Sequence, residues 1–347
     1  MTMSVSHPLV TVLLPVRNGL PWLGAALAGV FGQTFANFEL IVLEDGSTDG
    51  TPELLKVLHD PRLRIIETGG VGIARALNIG LDAARGSYIA RHDADDESLP
   101  TRLAHQVAVL ESRADIDVVA TVAEYIDASG RLVENAWVQT VRRQHDAALT
   151  PEAIAELMPL TCCITHGSIL ARTDVLRSAG GYRPEMVPAE DYDLWLRLLP
   201  RHRFLKLEER LYRYRVHADQ AGVRTRERQT RQTVLAKLKH VRRLHPDLPA
   251  PARLGIVGST RGDAYYRATA AEAGFELPGP TDVSLPPEVC WLSLSSGAWG
   301  SSFAWDVLAV TDFNAIDRYR EELSRGGTAS PDLIGNFFVR RMTGSAV

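Results

Sequence analysis

The sequence is poor in the features that would place it in several protein classes at once. It has three cysteines in 347 residues, Cys162, Cys163 and Cys290; these make neither a disulfide framework nor a zinc-ligand spacing, which suits a reducing compartment. No uncharged apolar run approaches the roughly 18 residues a membrane span needs. Met1 to Pro8 lack a basic segment followed by an apolar one, so no signal peptide is expected and a cytoplasmic location is. Positive charge is not in excess either. A net charge of -4 and a pI near 6.2 argue against nucleic acid as the main partner. What remains, 45% apolar and 23% charged residues, is the composition of a soluble globular protein long enough for two domains, or for one large domain with an appendage.

Strand-like and helix-like segments alternate through the first third of the chain. Leu9 to Pro15 is a continuous β-branched and apolar run, the pattern of a strand buried on both faces. Pro21 can open a helix in which Leu23, Leu27, Val30 and Phe31 fall at helical spacing. Further strands are expected at Phe38 to Leu43, Leu63 to Glu67, Ser87 to Arg91 and Val118 to Val122, with helices at Pro52 to Leu58, Ile73 to Ala84 and Leu99 to Ser112. Repeated strand, loop and helix with short connections predict right-handed βαβ units and a parallel sheet. Later the pattern loosens. It suggests a hairpin within Ala123 to Val141 turning at Asp127 to Gly130, a helix at Pro151 to Met158, a strand at His166 to Ala171, and helices at Thr173 to Ser178 and Asp191 to Leu199. Strands at Arg203 to Leu207 and Leu211 to Val216 and a helix from Gln220 to Leu244 follow, and three prolines within His245 to Pro251 mark a linker. The expected division is therefore 1–245 (halves 8–125 and 126–245), a linker at 246–251, and a small C-terminal α/β domain of unassigned role at 252–347.

The densest charge, Asp93, Asp95 and Asp96, falls where the fourth strand leaves the sheet. In an open parallel sheet that edge is where ligands bind. Two residues apart on an extended chain, Asp93 and Asp95 point the same way, and together they can hold a hard divalent cation while leaving positions for phosphate oxygens. The structural alternative is an acidic turn in which Asp96 and Ser98 cap the helix beginning near Leu99 and Pro100.

Six segments appear in order: Pro15 to Asn18, Glu44 to Asp49, Ala74 to Gly80, Ala90 to Asp96, Glu190 to Trp195 and Tyr212 to His217. Together they resemble the inverting glycosyltransferase family 2 of GT-A fold, over roughly residues 8 to 245. The resemblance implies an α/β fold with a mostly parallel central sheet and flanking helices. It implies a nucleotide-sugar donor, usually UDP-linked, and a hydroxyl acceptor on a saccharide, a lipid-linked molecule or a small molecule. Pro15, Arg17 and Asn18 would line the nucleotide pocket and Asp45 would hydrogen-bond the base. Where Arg17 stands the family usually has an aromatic residue, so this position departs from the pattern. Asp93 would contact ribose or metal, Asp95 would ligate Mg²⁺ or Mn²⁺, and His217 would be a further metal ligand. Asp191 would be the catalytic base, with Glu190 raising its basicity or holding the acceptor.

The chemistry asks for the same groups. Displacing a nucleoside diphosphate from an anomeric carbon builds negative charge on the leaving phosphate, which a cation stabilises, while the acceptor hydroxyl needs a positioned carboxylate to take its proton. Single-step displacement inverts the anomeric centre.

Several residues carry two readings. Arg75, Asn78 and Arg91 can reach phosphate or ribose, or form helix-surface and strand-end salt bridges. His166 can stand near the acceptor or be structural. Gly69 to Gly72 is a weak phosphate-loop signal or a turn, Trp195 is read as core, and Cys162 and Cys163 as packing. From Arg224 to Arg243 there are eight Lys or Arg against one Glu, with Val234, Leu235, Leu238 and Val241 as an apolar stripe. That helix can rest on the inner face of a membrane or pack on protein. Trp291, Trp299 and Trp305 can form an acceptor or homodimer surface, or core. Two rival functions are a nucleotidyltransferase, whose Gly-rich basic loop Val16 to Gly19 matches poorly, and a non-catalytic nucleotide-sugar-binding module, which predicts a lost base or metal ligand where both are present.

Overall fold

A computed structural model describes residues 7–146, 148–218, 220, 225–257, 260–277, 307–310, 332–334 and 337–339. The chain forms two compact units, Met1–Arg224 and Thr225–Val347.

In the first unit β1 (Val10–Val16), α1 (Leu23–Phe31), β2 (Phe38–Glu44), α2 (Thr51–Lys56), β3 (Leu63–Glu67), α3 (Ile73–Ala83) and β4 (Tyr88–Arg91) follow the expected alternation. Then come β5 (Glu97–Ser98), α4 (Arg102–Ser112), β6 (Val118–Ile126), α5 (Ala136–Asp146), α6 (Pro151–Leu157), β7 (Leu170–Arg172), α7 (Thr173–Ser178), α8 (Glu190–Leu198) and β8 (Phe204–Arg215). They build one sheet of order β3-β2-β1-β4-β7-β6-β8-β5. β3, β2, β1 and β4 are parallel, as are β6 and β8, while β7 and β5 run against their neighbours. Every residue of β2 and β4 is buried, as a strand covered by helices on both faces requires. Val12, Leu14, Leu27, Val30, Leu40, Val42, Leu103 and Val107 are among the residues forming the core under one face. Strand order reverses at β1, with β2 and β3 on one side and β4 on the other, so the loops after β1 and β4 open a crevice between them.

Four local expectations change. The turn at Asp127 to Gly130 forms, but its return strand is one bridge, Ile126 with Leu132, because Asn135 Oδ1 accepts the Val138 N–H at 2.9 Å and starts α5. The two strands expected at 203–216 are one, β8, bulged where Thr121 pairs with Leu207 and Val122 with Arg210. His166 to Ser168 is a 3₁₀ turn ahead of β7. Asp96 and Ser98 do not cap α4: Glu97 and Ser98 pair with β8, Asp96 Oδ1 accepts the Arg215 N–H at 2.7 Å, and Ser98 Oγ accepts from Arg102 Nη1 at 2.8 Å.

In the second unit the described residues include the helix Arg226–Leu244, β9 (Ala252–Val257), the helix Thr260–Thr269, β10 (Phe275–Glu276), β11 (Val307–Val310), β12 (Asp332–Ile334) and β13 (Phe337–Val339). The strands form a sheet of order β10-β9-β11-β13-β12, an α/β appendage. Val234, Leu235, Leu238 and Val241 are buried, and their helix packs on Thr260–Thr269. Protein therefore covers the stripe that a lipid surface would need. Trp291, Trp299, Trp305 and Cys290 lie outside the described residues, among which no helix is long and apolar enough to cross a membrane.

Candidate active site

The loops after β1 and β2 are built from each other. Asn18 takes a left-handed backbone (φ 57°), which Asn tolerates. Its Oδ1 accepts the Thr48 N–H at 2.7 Å, its N–H donates to Ser47 Oγ at 2.8 Å, and the Leu20 N–H donates to Asp49 Oδ2 at 3.1 Å. Asn18 therefore shapes the wall on which Pro15 and the exposed Arg17 sit.

Asp45 is buried and accepts three hydrogen bonds, from Thr68 Oγ1 (2.6 Å), the Val71 N–H (2.8 Å) and the Gly72 N–H (2.9 Å). Two of these donors belong to the glycine-rich stretch, whose Gly69, Gly70 and Gly72 all have positive φ. The stretch is thus a turn clasped by Asp45, and one acceptor direction on Oδ2 remains for a ligand. Asn78 is similarly committed. Its Oδ1 accepts the Tyr182 N–H at 2.8 Å and its Nδ2 donates to Tyr182 O at 2.7 Å, tying α3 to the turn before α8. Arg75 is exposed.

At the end of β4 the three aspartates part company. Asp93 Oδ1 meets Arg91 Nη2 at 2.6 Å, Asp95 Oδ2 meets His217 Nε2 at 2.9 Å, and Asp96 turns inward to the β8 backbone. Burial, then the charge of Asp93, raises the Asp95 pKa against the pull of His217; burial and both neighbours push Asp96 well above the usual carboxylate range. Gly167 faces this group, where an added Cβ would collide with the Tyr212 hydroxyl and lie 2.7 Å from Asp93 Oδ2. Among the described residues no three His, Cys, Asp or Glu side chains form a ready-made metal cage. A Mg²⁺-type ion held by one or two carboxylates and substrate phosphates needs none. The donor set fits such an ion: Asp95 and His217 already meet, Asp93 stands two residues from Asp95, and the buried His217 Nδ1 has no partner among the described residues.

Glu190 and Asp191 open α8, where the helix dipole favours acids. Glu190 is buried, with Oε2 unpartnered among the described residues; Asp191 keeps some surface accessible and accepts its neighbour Tyr192's N–H at 2.7 Å. Burial, then the charge of Asp191, pushes Glu190 up to about 7. Burial pushes Asp191 up to about 6, opposed by backbone N–H groups and Arg91. Burial, rather than Glu190, is thus the main source of the raised basicity.

His166 Nε2 lies 2.9 Å from the Tyr182 hydroxyl, and burial, then the charge of Arg91, holds its pKa well below the usual value. Trp195 is fully buried with its ring edge-on to His166 and Phe204, as expected of core. Cys163 is buried and Cys162 half-buried, and burial raises both thiols, Cys163 to about 11. Sequence reasoning missed Trp22, whose Nε1 donates to Ala128 O at 3.0 Å while its ring covers His217, and Arg215, which donates to Asp95 O at 2.7 Å and Glu97 Oε1 at 2.6 Å. Nothing in their local spacing signals these long-range partners.

The mostly parallel sheet, with aspartates at the end of β4 and an acid pair at the start of α8, has the GT-A architecture. The profile of Glycosyl transferase family 2 matches residues 11–176. EpsE of Bacillus subtilis (strain 168), provisionally named a glycosyltransferase, is 34% identical over 221 residues, covering 62% of this chain and 75% of EpsE. The chain belongs to glycosyl transferase family 2, an enzyme family, which sets aside the nucleotidyltransferase and non-catalytic readings. Two further curated relatives are longer, the chain spanning 28% and 36% of them. Two solved structures illustrate the shared fold. S. aureus TarS in complex with UDP-GlcNAc has a TM-score of 0.54 at 17% identity, over 76% of this chain and 80% of that one. The mannosyltransferase PcManGT from Pyrobaculum calidifontis, in complex with GDP-Man and Mn2+, has a TM-score of 0.51 at 19% identity, over 86% of this chain and 77% of that one.

Proposed function

We propose that this transferase moves a sugar from a nucleotide sugar, UDP-linked by resemblance, to a hydroxyl of a saccharide, lipid-linked or small-molecule acceptor, by metal-assisted single displacement with inversion. The observation that carries the reading is the acid pair at the start of α8, held near neutral pKa by burial. The donor-bound state of two structural neighbours supports the donor class, and the Mn2+ of one supports a divalent ion. The catalytic domain is read as 1–245, with 252–347 an added domain joined through 246–251.

Pro15, Arg17 and Asn18 bound the nucleotide side, and Asp45 offers its remaining acceptor direction to the base. Asp93 faces the ribose or the ion. A divalent cation held by Asp95 and His217 would stabilise the charge that develops on the leaving diphosphate. Asp191 takes the proton of the attacking hydroxyl, for which a base pKa near the working pH is suited.

The test is release of nucleoside diphosphate from UDP-, GDP- and dTDP-sugars with Mn²⁺, Mg²⁺ or EDTA, for wild type and Asp95→Ala. Metal-dependent release from one donor, lost in the variant, supports the reading. A protein that neither binds nor cleaves any of these donors refutes it.

A further inference from the structure

A cavity of about 460 Å³ lies at the start of β4, where Arg85, Ser87 and Tyr88 meet Arg172, Asp174 and Arg177 from the end of β7 and from α7. That is the opposite end of the strand from the aspartates. Tyr88 opens β4 and Arg91 closes it, so three residues of extended chain, about 10 Å, separate the two places. The volume is in the range of sites that hold small molecules. Thr173 laces the walls together: its N–H donates to Ser87 O at 2.9 Å and its hydroxyl to Gly86 O at 2.7 Å.

Three guanidiniums share this cavity, each anchored through Nε and Nη2. Arg172 donates Nε to Ile116 O at 3.1 Å and Nη2 to Leu110 O at 2.8 Å, near the end of α4. Arg177 donates Nη2 to Leu81 O at 2.8 Å and to Ala84 O at 2.9 Å, at the end of α3. Arg85 donates Nε and Nη2 to Glu39 Oε2 at 2.9 Å and 2.6 Å. In all three, Nη1 makes no hydrogen bond among the described residues.

Backbone carbonyls fix Arg172 and Arg177 without neutralising them. Arg177 makes no ion pair among the described residues, Arg172 has Asp117 at 4.0 Å, and Glu39 is shared between Arg85 and Arg64. Asp174 is the one carboxylate in the lining. Three cations against one carboxylate, in a concavity, focus positive potential on whatever enters. The open guanidinium edges match phosphate oxygens in geometry as well as charge. A carboxylate offers two oxygens, whereas a terminal phosphate offers three, one for each open Nη1. The exposed Ser87 hydroxyl, unpartnered among the described residues, adds a further donor.

We propose that this cavity binds a terminal phosphate group, carried by a small molecule or by a lipid headgroup, at a site separate from the donor crevice. Arg85, Arg172 and Arg177 hold the phosphate by charge and hydrogen bonds, and Asp174 sets a limit on its affinity.

Calorimetry on the full chain tests it with inorganic phosphate and pyrophosphate, without divalent metal, against a chloride blank of equal ionic strength. Sedimentation with phosphatidylcholine vesicles, with and without phosphatidic acid, tests the lipid source. Ser87→Asp adds a negative charge to the cavity and leaves the arginine contacts in place. It should weaken binding of the probe that binds by about tenfold. Asp174→Asn removes the lining carboxylate and should strengthen binding by about threefold. These shifts in the phosphate titrations support a free phosphorylated ligand, and shifts confined to the phosphatidic acid vesicles support a headgroup. A wild-type protein that binds neither probe overturns the proposal. Binding that Ser87→Asp leaves unchanged overturns it too, because the anion then sits elsewhere. Should Ser87→Asp fail to fold, Asp174→Asn decides alone, and unchanged affinity in that variant overturns the proposal.

Discussion

The indole of Trp22 lies on the imidazole of His217, ring centroids 4.0 Å apart and planes inclined by 36°. With Asp95 Oδ2 at Nε2 on its edge, His217 is fixed by one residue from the loop after β1 and one from the loop after β4. If His217 holds the metal as proposed, Trp22 positions it through this ring contact. Trp22→Ala should raise the Mn²⁺ concentration for half-maximal activity by about 10-fold, the scale on which supports of metal ligands act. Trp22→Phe should raise it less. A metal titration of donor cleavage checks both, and an unchanged midpoint in Trp22→Ala would count against His217 as a ligand.

Asp191→Asn removes the proposed base and leaves the helix start intact. Its kcat should fall by about 10²–10⁴-fold, with donor affinity by calorimetry unchanged. Full activity in the variant would send the search for the base elsewhere.

Because burial raises Asp191 to about 6 and Glu190 to about 7, the acid pair loses its charge as pH falls through that window. Activity should therefore decline on the acid side between pH 7 and 6, measurable as kcat/KM against pH at saturating metal.

Stability carries the opposite sign. A carboxyl whose folded pKa is raised stabilises the fold below its unfolded pKa, and that contribution is lost as pH rises through the folded value. Glu190→Gln lacks this loss. Its melting temperature should match wild type near pH 4 and exceed it by roughly 2–4 °C at pH 8. Parallel melting curves with no divergence across that range would mean that Glu190 has an ordinary pKa.

Asp45→Ala should destabilise the first unit by about 3 kcal/mol, since three donors lose a buried carboxylate acceptor. Urea denaturation measures it. Nucleoside diphosphate affinity should fall in the same variant, because the turn from Gly69 to Gly72 no longer holds its shape.

The sequence by itself determined the α/β alternation, the parallel strands, the acidic strand end and the burial of Trp195. Those are local patterns: runs of apolar residues, turn residues and helical spacing, each contained within a dozen positions. It also named Glu190 and Asp191 by the company they keep in order along the chain. Only the tertiary structure decided which way each polar group turned. Asp93 and Asp95 share a spacing that puts them side by side on an extended chain, but the chain bends at Ala94 and Asp95, so one meets Arg91 and the other His217, 122 residues away. Asn78 reads either as reaching phosphate or ribose or as a helix-surface contact, and it is Tyr182, 104 residues on, that engages both ends of its amide. Trp22 carries no local signal at all. A side chain's hydrogen-bond partner is set by which distant backbone the folded sheet brings beside it, and periodicity along the chain holds no record of that choice.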